Sequence, residues 1–174
     1  MKPYICISGL LILASVAAGC GGDTPTTPSP ASSSTFSAML VPSNEVPPVS
    51  GSEAAGSGTA TLTFNLTRDA AGNVTAATMD ATVSVTGFPP GTTLTASHIH
   101  PGAVGASGGV FVSLGLTQGE ISFATGSGSF TKRGVTLTVD QANSILANPG
   151  GYYLNIHTAE NPNGVARGQL TRVQ

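Results

Sequence analysis

The sequence has few of the residues on which most enzymes and nucleic-acid-binding proteins depend. Its 174 residues include no tryptophan, 5% aromatic and 8% charged residues, whereas a typical soluble domain has roughly 25% charged residues. The formal net charge of −2 excludes the basic surface that nucleic-acid binding requires. Hydrophobic residues make up 40% of the chain, which is enough for a folded core and argues against intrinsic disorder.

Cysteine is also scarce, and its positions are informative. The chain has two cysteines, Cys6 and Cys20. Cys6 lies in an apolar run from Ile5 to Ala18 that follows Met1 and Lys2. This run is shorter than the roughly 20 residues of a transmembrane helix and is typical of a secretory signal. Removal of the signal would leave Cys20 as the single cysteine, so no disulfide is expected within the mature chain.

The small residues before Cys20, Val16-Ala17-Ala18-Gly19, resemble a bacterial lipobox, where the signal is removed before a cysteine that then carries lipid. We predict a lipoprotein signal peptide over residues 1–19, lipidation of Cys20 and a flexible Pro/Thr/Ser linker over 20–34. The alternatives are an ordinary signal peptide with a nearby cysteine, or a core helix. The expected location is the cell envelope, facing outside the cytoplasm, with the lipid as the membrane contact. The resemblance to Gram-negative lipoproteins implies that Gly21 after the cysteine favours the outer membrane, if the source is Gram-negative.

Residues 35–174 show the alternation of apolar and polar side chains that is typical of half-buried β-strands. We predict an all-β domain, an antiparallel Greek-key β-sandwich of immunoglobulin-like type. One short helix is expected near residues 139–147, where Thr138 and Gln141 have the spacing of a capping box and Ile145 and Leu146 would face the sheet. The candidate strands are Phe36–Leu40, Thr59–Leu66, Asp80–Thr86, Leu94–His100, Val110–Leu114, Ser122–Thr131, Tyr152–His157 and Val165–Leu170.

The three histidines of the chain fall in two of these strands. Residues two apart on a strand share a face, so His98 and His100 would point the same way while Ile99 points into the core. By the same rule His157 shares its face with Asn155 and Tyr153. If the two strands are neighbours, the three imidazoles converge on one polar patch.

Two interpretations of this patch compete. Three histidines with an open position form the ligand set of a zinc or copper site, and this interpretation assigns His98, His100 and His157 as ligands. Alternatively, each ring hydrogen-bonds the backbone of the Gly-rich loops at 101–109 and 159–164, which have no strand partner. For the function of the domain as a whole, sugar binding is a third hypothesis, with the aromatic ring of Tyr152 or Tyr153 as the surface on which the sugar would stack.

The sequence contains no recognisable machinery for covalent catalysis. It has no nucleophile elbow, no phosphate-binding loop and no dinucleotide fingerprint. We therefore expect a protein that is not an enzyme. The acidic residues are scattered, and we expect most of them to be solvated turn residues. They include Glu45, Glu53, Asp69, Asp80, Glu120, Asp140 and Glu160.

Three ordered motifs resemble the CHRD family, which is named for chordin and also occurs in bacterial exported proteins. His98-Ile99-His100-Pro101-Gly102-Ala103-Val104-Gly105 is similar to the family's HIHxGxxGxxG signature. Asn155-Ile156-His157-Thr158, followed by Asn161 to Leu170, is similar to its NxHTxxNPxGxxRGQL ending. Asn44 to Val49 resembles its NEVPP element. The chain departs from the pattern at Val165, where the family often has an acidic residue.

The resemblance implies a β-sandwich-like domain, and the animal members of the family bind extracellular growth factors. We expect a non-enzymatic binding or structural module with an extracytoplasmic protein or ligand as its partner. The residues expected to maintain the motif are Glu45, Gly102, Asn155 and Arg167. An ion pair between Glu45 and Arg167 would tie the first and last strands together.

Overall fold

The computed structural model describes Met1 and residues 31–173. The predicted signal peptide, the lipidation site Cys20 and nearly all of the predicted linker lie outside the described residues. Within those residues the chain forms ten strands and one α-helix. The elements are β1 (Ser32–Leu40), β2 (Ser57–Arg68), β3 (Val74–Thr86), β4 (Thr92–Pro101), β5 (Val112–Ser113), β6 (Ile121–Phe123), β7 (Gly128–Leu137), α1 (Val139–Ala147), β8 (Tyr152–Thr158), β9 (Ala166–Gln169) and β10 (Thr171–Arg172).

The strands form two antiparallel sheets, which confirms the predicted all-β sandwich. The first sheet has the order β10-β1-β2-β3-β7. The second has the order β5-β4-β8-β9, with β6 also paired to β4. An isolated bridge between Val41 and Arg167 joins the end of β1 to β9. The Greek-key and immunoglobulin-like details of the prediction stay predictions.

The core lies between the sheets and follows the predicted alternation. In β2, Leu62 and Phe64 are fully buried while Thr61 is exposed. The second sheet contributes Ile99 and Leu154, which are also fully buried. Burial of each such side chain stabilises the fold by about 1.5–3 kcal/mol. The opposite face of the second sheet is therefore left for the polar residues of β4, β8 and β9.

The helix forms where the sequence predicts it. Thr138 accepts a hydrogen bond from the backbone N–H of Gln141, and the Gln141 side chain accepts one from the N–H of Thr138. Ile145 is fully buried and Leu146 packs at the edge of the core. No helix in the described residues is long and apolar enough to cross a membrane.

The predicted strand Ser122–Thr131 is wrong as a single element. The structure divides it into β6 and β7, which belong to different sheets. Gly126 lies at the break with φ +73°, and a Cβ there would lie 1.8 Å from the carbonyl oxygen of Phe88. The close approach of the Phe88 backbone thus requires glycine at this turn. The predicted strand at 110–114 is also reduced, to the two residues of β5.

Candidate functional site

The histidines lie on the outer face of the second sheet. Strands β4 and β8 are hydrogen-bonded neighbours, with His98 opposite Asn155 and His100 opposite Tyr153. On the next strand, β9, Arg167 lies opposite Asn155. This register arranges the polar side chains in rows across three strands. The loops that follow β4 and β8 contact this polar face through Gly108 and Pro162.

The structure brings all three predicted histidines together. One ring nitrogen from each lies within 4.8 Å of the other two. His98 Nδ1 and His157 Nε2 are 3.1 Å apart. Among the described residues, these histidines form the single group with metal-ligand spacing. The convergence depends on β4 and β8 being adjacent, which was the condition stated from the sequence.

Two of the rings are held by backbone carbonyls. His100 Nδ1 lies 3.0 Å from the carbonyl oxygen of Gly108, and His157 Nδ1 lies 2.9 Å from that of Pro162. A carbonyl oxygen only accepts hydrogen bonds, so each Nδ1 carries the proton and donates it. In a neutral imidazole the Nε2 atom then has a free lone pair. The loop contacts therefore set the tautomer that leaves Nε2 of both rings available as a ligand.

Few hydrogen-bond donors lie near Nε2 of His100 and of His157. His100 Nε2 is buried and has no hydrogen-bond partner among the described residues. His157 Nε2 lies 2.9 Å from Asn155 Oδ1, and an amide oxygen is also an acceptor. The centre of the cluster is consequently rich in lone pairs, which suits a cation.

Burial favours the neutral form of two of the imidazoles, those of His98 and His157. It lowers the pKa of His98 to about 4, with a further contribution from the neighbouring rings of His157 and His100. Burial also lowers the pKa of His157, although its hydrogen bond to Pro162 acts in the opposite direction. Neutral imidazole is the form that binds metals. His98 and His157 are therefore in the metal-binding form at neutral pH.

A buried ion pair lies beside the cluster. Arg167 Nε and Glu45 Oε2 are 3.9 Å apart, and both side chains are buried. Burial raises the pKa of Glu45 to about 7, against the opposing effects of Arg167 and of the hydrogen bond from Asn155. The structure thus brings together Glu45, Asn155 and Arg167, the three charged or amide-bearing residues that the sequence indicated as structural.

Comparison with known proteins agrees with the motifs that occupy this site. The family model of the CHRD domain matches residues 36–170. The chain belongs to the CHRD domain family. No curated protein and no solved structure matches it. The matched residues contain the whole histidine cluster and the Glu45–Arg167 pair, so both are features of this CHRD domain.

Gly102, the remaining structural residue of the motif, lies where the loop leaves β4. Its φ is +153°, and its N–H donates to the carbonyl oxygen of Gly151 at 2.8 Å. Its own carbonyl oxygen accepts a 2.9 Å hydrogen bond from the Gln169 side chain. A Cβ at this position would lie 3.1 Å from both Ala106 O and Tyr153 Cε1. Glycine is therefore needed for the loop to pack against the sheet.

Five of the seven acidic residues named from the sequence are exposed or partly exposed, as expected, and the two exceptions are Glu45 and Glu53. Glu53 is buried and accepts hydrogen bonds of 2.7 Å from Thr158 Oγ1 and from Asn161 Nδ2. It thereby holds the loop that supplies the Pro162 carbonyl to His157. The sequence has no signal for this role, because Glu53 lies more than 100 residues before its partners.

Tyr153 contributes to the site in a way that the sequence does not indicate. Its ring stacks on His100, with centroids 5.1 Å apart and an interplanar angle of 9°. The guanidinium carbon of Arg167 lies 4.4 Å from the centre of the same ring. Tyr153 is 3% exposed, which removes it as a sugar-binding platform. Its role is to connect the histidine cluster to the buried ion pair.

Proposed function

We propose that the chain is a lipid-anchored protein of the cell envelope whose CHRD domain binds a divalent transition metal, zinc or copper. The ligands are His98, His100 and His157. The domain acts as a binding module and not as an enzyme. This role is consistent with the buried carboxylates, since Glu45 is engaged with Arg167 and Glu53 with the loop after β8.

One observation carries the metal proposal. Nδ1 of His100 and of His157 donates to a backbone carbonyl, while a nitrogen of each ring converges with one from His98. Metal-ligating histidines characteristically donate their second N–H to a carbonyl or carboxylate, which fixes the ring and makes the ligand nitrogen more basic. In His157 the two interpretations of the sequence thus describe different nitrogens of one ring, since Nδ1 contacts the loop and Nε2 lies 3.1 Å from His98 Nδ1.

The residues fit a metal with a small adjustment. Bonds of about 2.0–2.1 Å place two ligand nitrogens at most about 4.2 Å apart, whereas the present spread reaches 4.8 Å. His98 is partly exposed, and its hydrogen bond is to His157 and not to a loop carbonyl. The ring nitrogens must therefore approach one another by about 0.6 Å to bind one ion. The fourth position is left for water, a further protein atom or a ligand.

The anchor is proposed from the sequence. A positive start, an apolar run of signal length and small residues before Cys20 support export followed by lipidation. The Pro/Thr/Ser linker would separate the domain from the membrane surface. The metal site would then face the space outside the cytoplasm, where a protein or small-molecule partner could reach it.

Metal analysis of the full-length protein, purified with a tag that lacks histidine, tests the proposal. Inductively coupled plasma mass spectrometry is expected to find about one zinc or copper per chain. His98→Ala is the most useful variant because it removes a ligand and leaves both loop contacts intact. We expect it to lose the metal while the metal-free variant unfolds at nearly the same temperature as the metal-free wild type.

The alternative interpretation, in which the histidines only hydrogen-bond the loop backbone, predicts a different pattern. If the histidines act through the loops alone, His100→Ala and His157→Ala lower the thermal stability, His98→Ala does not, and the wild type contains no metal. That pattern, or metal retained in both His98→Ala and His100→Ala, would overturn the metal proposal.

A further inference from the structure

The geometry points to a fourth protein donor at the proposed metal site, the side-chain oxygen of Asn155, which gives a set of three nitrogens and one oxygen that favours Cu(II) over zinc. This inference rests on the proposed metal-binding function and deepens it by naming the metal. It also assigns a role to Asn155 beyond holding the fold.

Asn155 is placed between the cluster and the buried ion pair. It lies opposite His98 on one side and Arg167 on the other, and it is 1% exposed. Its Oδ1 is 2.9 Å from His157 Nε2. A Cβ on Gly164 would meet both Glu45 Oε1, at 2.5 Å, and Asn155 Nδ2, at 2.8 Å, so the nitrogen faces Glu45 and the oxygen faces the histidines.

When His157 is neutral, the protons of an empty site cannot satisfy this arrangement. Neutral His157 has one ring proton, which it donates to Pro162 O from Nδ1. His98 Nδ1–H can donate to the lone pair of His157 Nε2. The Asn155 oxygen then faces that nitrogen at 2.9 Å with no hydrogen between them, which is unfavourable for two acceptors. A metal ion that accepts both lone pairs removes the conflict.

The spacing of the donors indicates the coordination geometry. For bonds of about 2.05 Å, donors 2.9 Å and 3.1 Å apart subtend angles of about 90° and about 100° at the metal. A tetrahedral site would need donors about 3.3 Å apart. Angles near 90° with nitrogen and oxygen ligands are typical of Cu(II), whereas zinc prefers a tetrahedron.

The test compares Asn155→Ala with Ser97→Ala in the full-length protein. Ser97 is buried and donates a 2.9 Å hydrogen bond to the backbone carbonyl of Asn155, so its loss disturbs the same strand pair and keeps every donor. Each protein is loaded with one equivalent of Cu(II) and its electron paramagnetic resonance spectrum is recorded. Affinities for Cu(II) and zinc are measured by competition with a chelator.

We expect Asn155→Ala to change the copper hyperfine splitting and to weaken Cu(II) binding by at least about tenfold, with a smaller effect on zinc. Ser97→Ala should keep the wild-type spectrum. Asn155→Asp, which retains the oxygen, should keep a copper spectrum close to that of the wild type, and it serves as the test if the alanine variant does not fold.

Each result has a distinct meaning. Wild-type and Asn155→Ala spectra that are identical, with an unchanged preference for copper over zinc, would overturn the role of Asn155 and leave the three-histidine site intact. A wild-type protein that binds neither Cu(II) nor zinc would overturn the proposed function itself, and this inference with it.

Discussion

The guanidinium of Arg167 lies 3.9 Å from the carboxylate of Glu45, and the two side chains are 2% and 7% exposed. Arg167 also donates to the backbone carbonyls of Asn44 and Ala106. These contacts join three segments of the chain, namely the loop after β1, the loop after β4 and strand β9. Arg167 therefore holds together the elements that surround the histidine cluster.

Replacement of Arg167 by alanine should destabilise the domain strongly. The substitution leaves the Glu45 carboxyl and the backbone carbonyls of Asn44 and Ala106 without their partner, and breaking a buried pair in this way costs about 3–5 kcal/mol. Chemical denaturation of the metal-free protein measures this loss. The control is Lys132→Ala, which breaks the exposed pair with Glu120 and should have a far smaller effect. Similar stabilities for the two variants would show that Arg167 does not have this structural role.

The pH dependence of stability should report the burial of Glu45. Its pKa is raised from 4.5 to about 7 in the folded state, so the folded protein binds this proton more tightly than the unfolded chain. The stabilisation is complete below about pH 4.5 and is lost as the pH rises through about 7. A pKa shift of this size changes the free energy of unfolding by on the order of 3 kcal/mol.

The comparison of wild type with Glu45→Gln isolates this effect. His98 and His157 have lowered pKa values, so their contributions have the opposite sign and fall as the pH drops below about 6.5. Both proteins carry the same histidines, and their difference in unfolding free energy cancels that contribution. We expect wild type to lose stability relative to Glu45→Gln between pH 5 and pH 8. A constant difference across this range would contradict the raised pKa.

The lipid anchor gives a separate prediction. Cys20→Ser removes the thiol that would carry the lipid, so the variant should move from the membrane fraction to the soluble fraction. The domain itself is unchanged, and its metal content should equal that of the wild type. Fractionation followed by immunoblotting measures the location of the protein, and metal analysis measures its metal content. Persistent association of Cys20→Ser with membranes would argue against lipidation at this residue.

Local geometry explains what could be predicted from the sequence. Period-2 alternation identified β2 and β4, because strand side chains point alternately to the core and to solvent. The spacing of Thr138 and Gln141 identified the helix start. The shared face of His98 and His100 follows from the same alternation. None of these features requires knowledge of which strands are neighbours.

The remaining features depend on contacts between distant segments. The position of Asn155 between His98 and Arg167 is a consequence of strand register, which alternation does not determine. Glu45 is buried because Arg167, more than 100 residues away, packs against it. The division of β6 from β7 follows from the approach of Phe88 to Gly126. Sequence patterns therefore identified the three histidines and their faces, whereas the contacts that Glu53 and Tyr153 make at the site required the fold.

Two adjacent glycines offer a test of how the loop after β4 controls the cluster. A Cβ on Gly108 would lie 2.0 Å from the carbonyl oxygen of Pro101, whereas a Cβ on Gly109 would meet nothing within 4 Å. Gly108→Ala should therefore shift the loop and move the Gly108 carbonyl away from His100 Nδ1. Loss of such a partner weakens metal binding by about 10- to 100-fold.

Gly109→Ala is the matched control and should keep the affinity of the wild type. Chelator competition with Zn²⁺ and Cu²⁺ measures both variants. Thermal unfolding without metal shows how much of any change comes from the loop itself. If Gly108→Ala binds metal as tightly as Gly109→Ala, the Gly108 carbonyl does not orient His100. The ring would then be held by its stacking on Tyr153, and Tyr153→Leu rather than Gly108→Ala should lower the affinity.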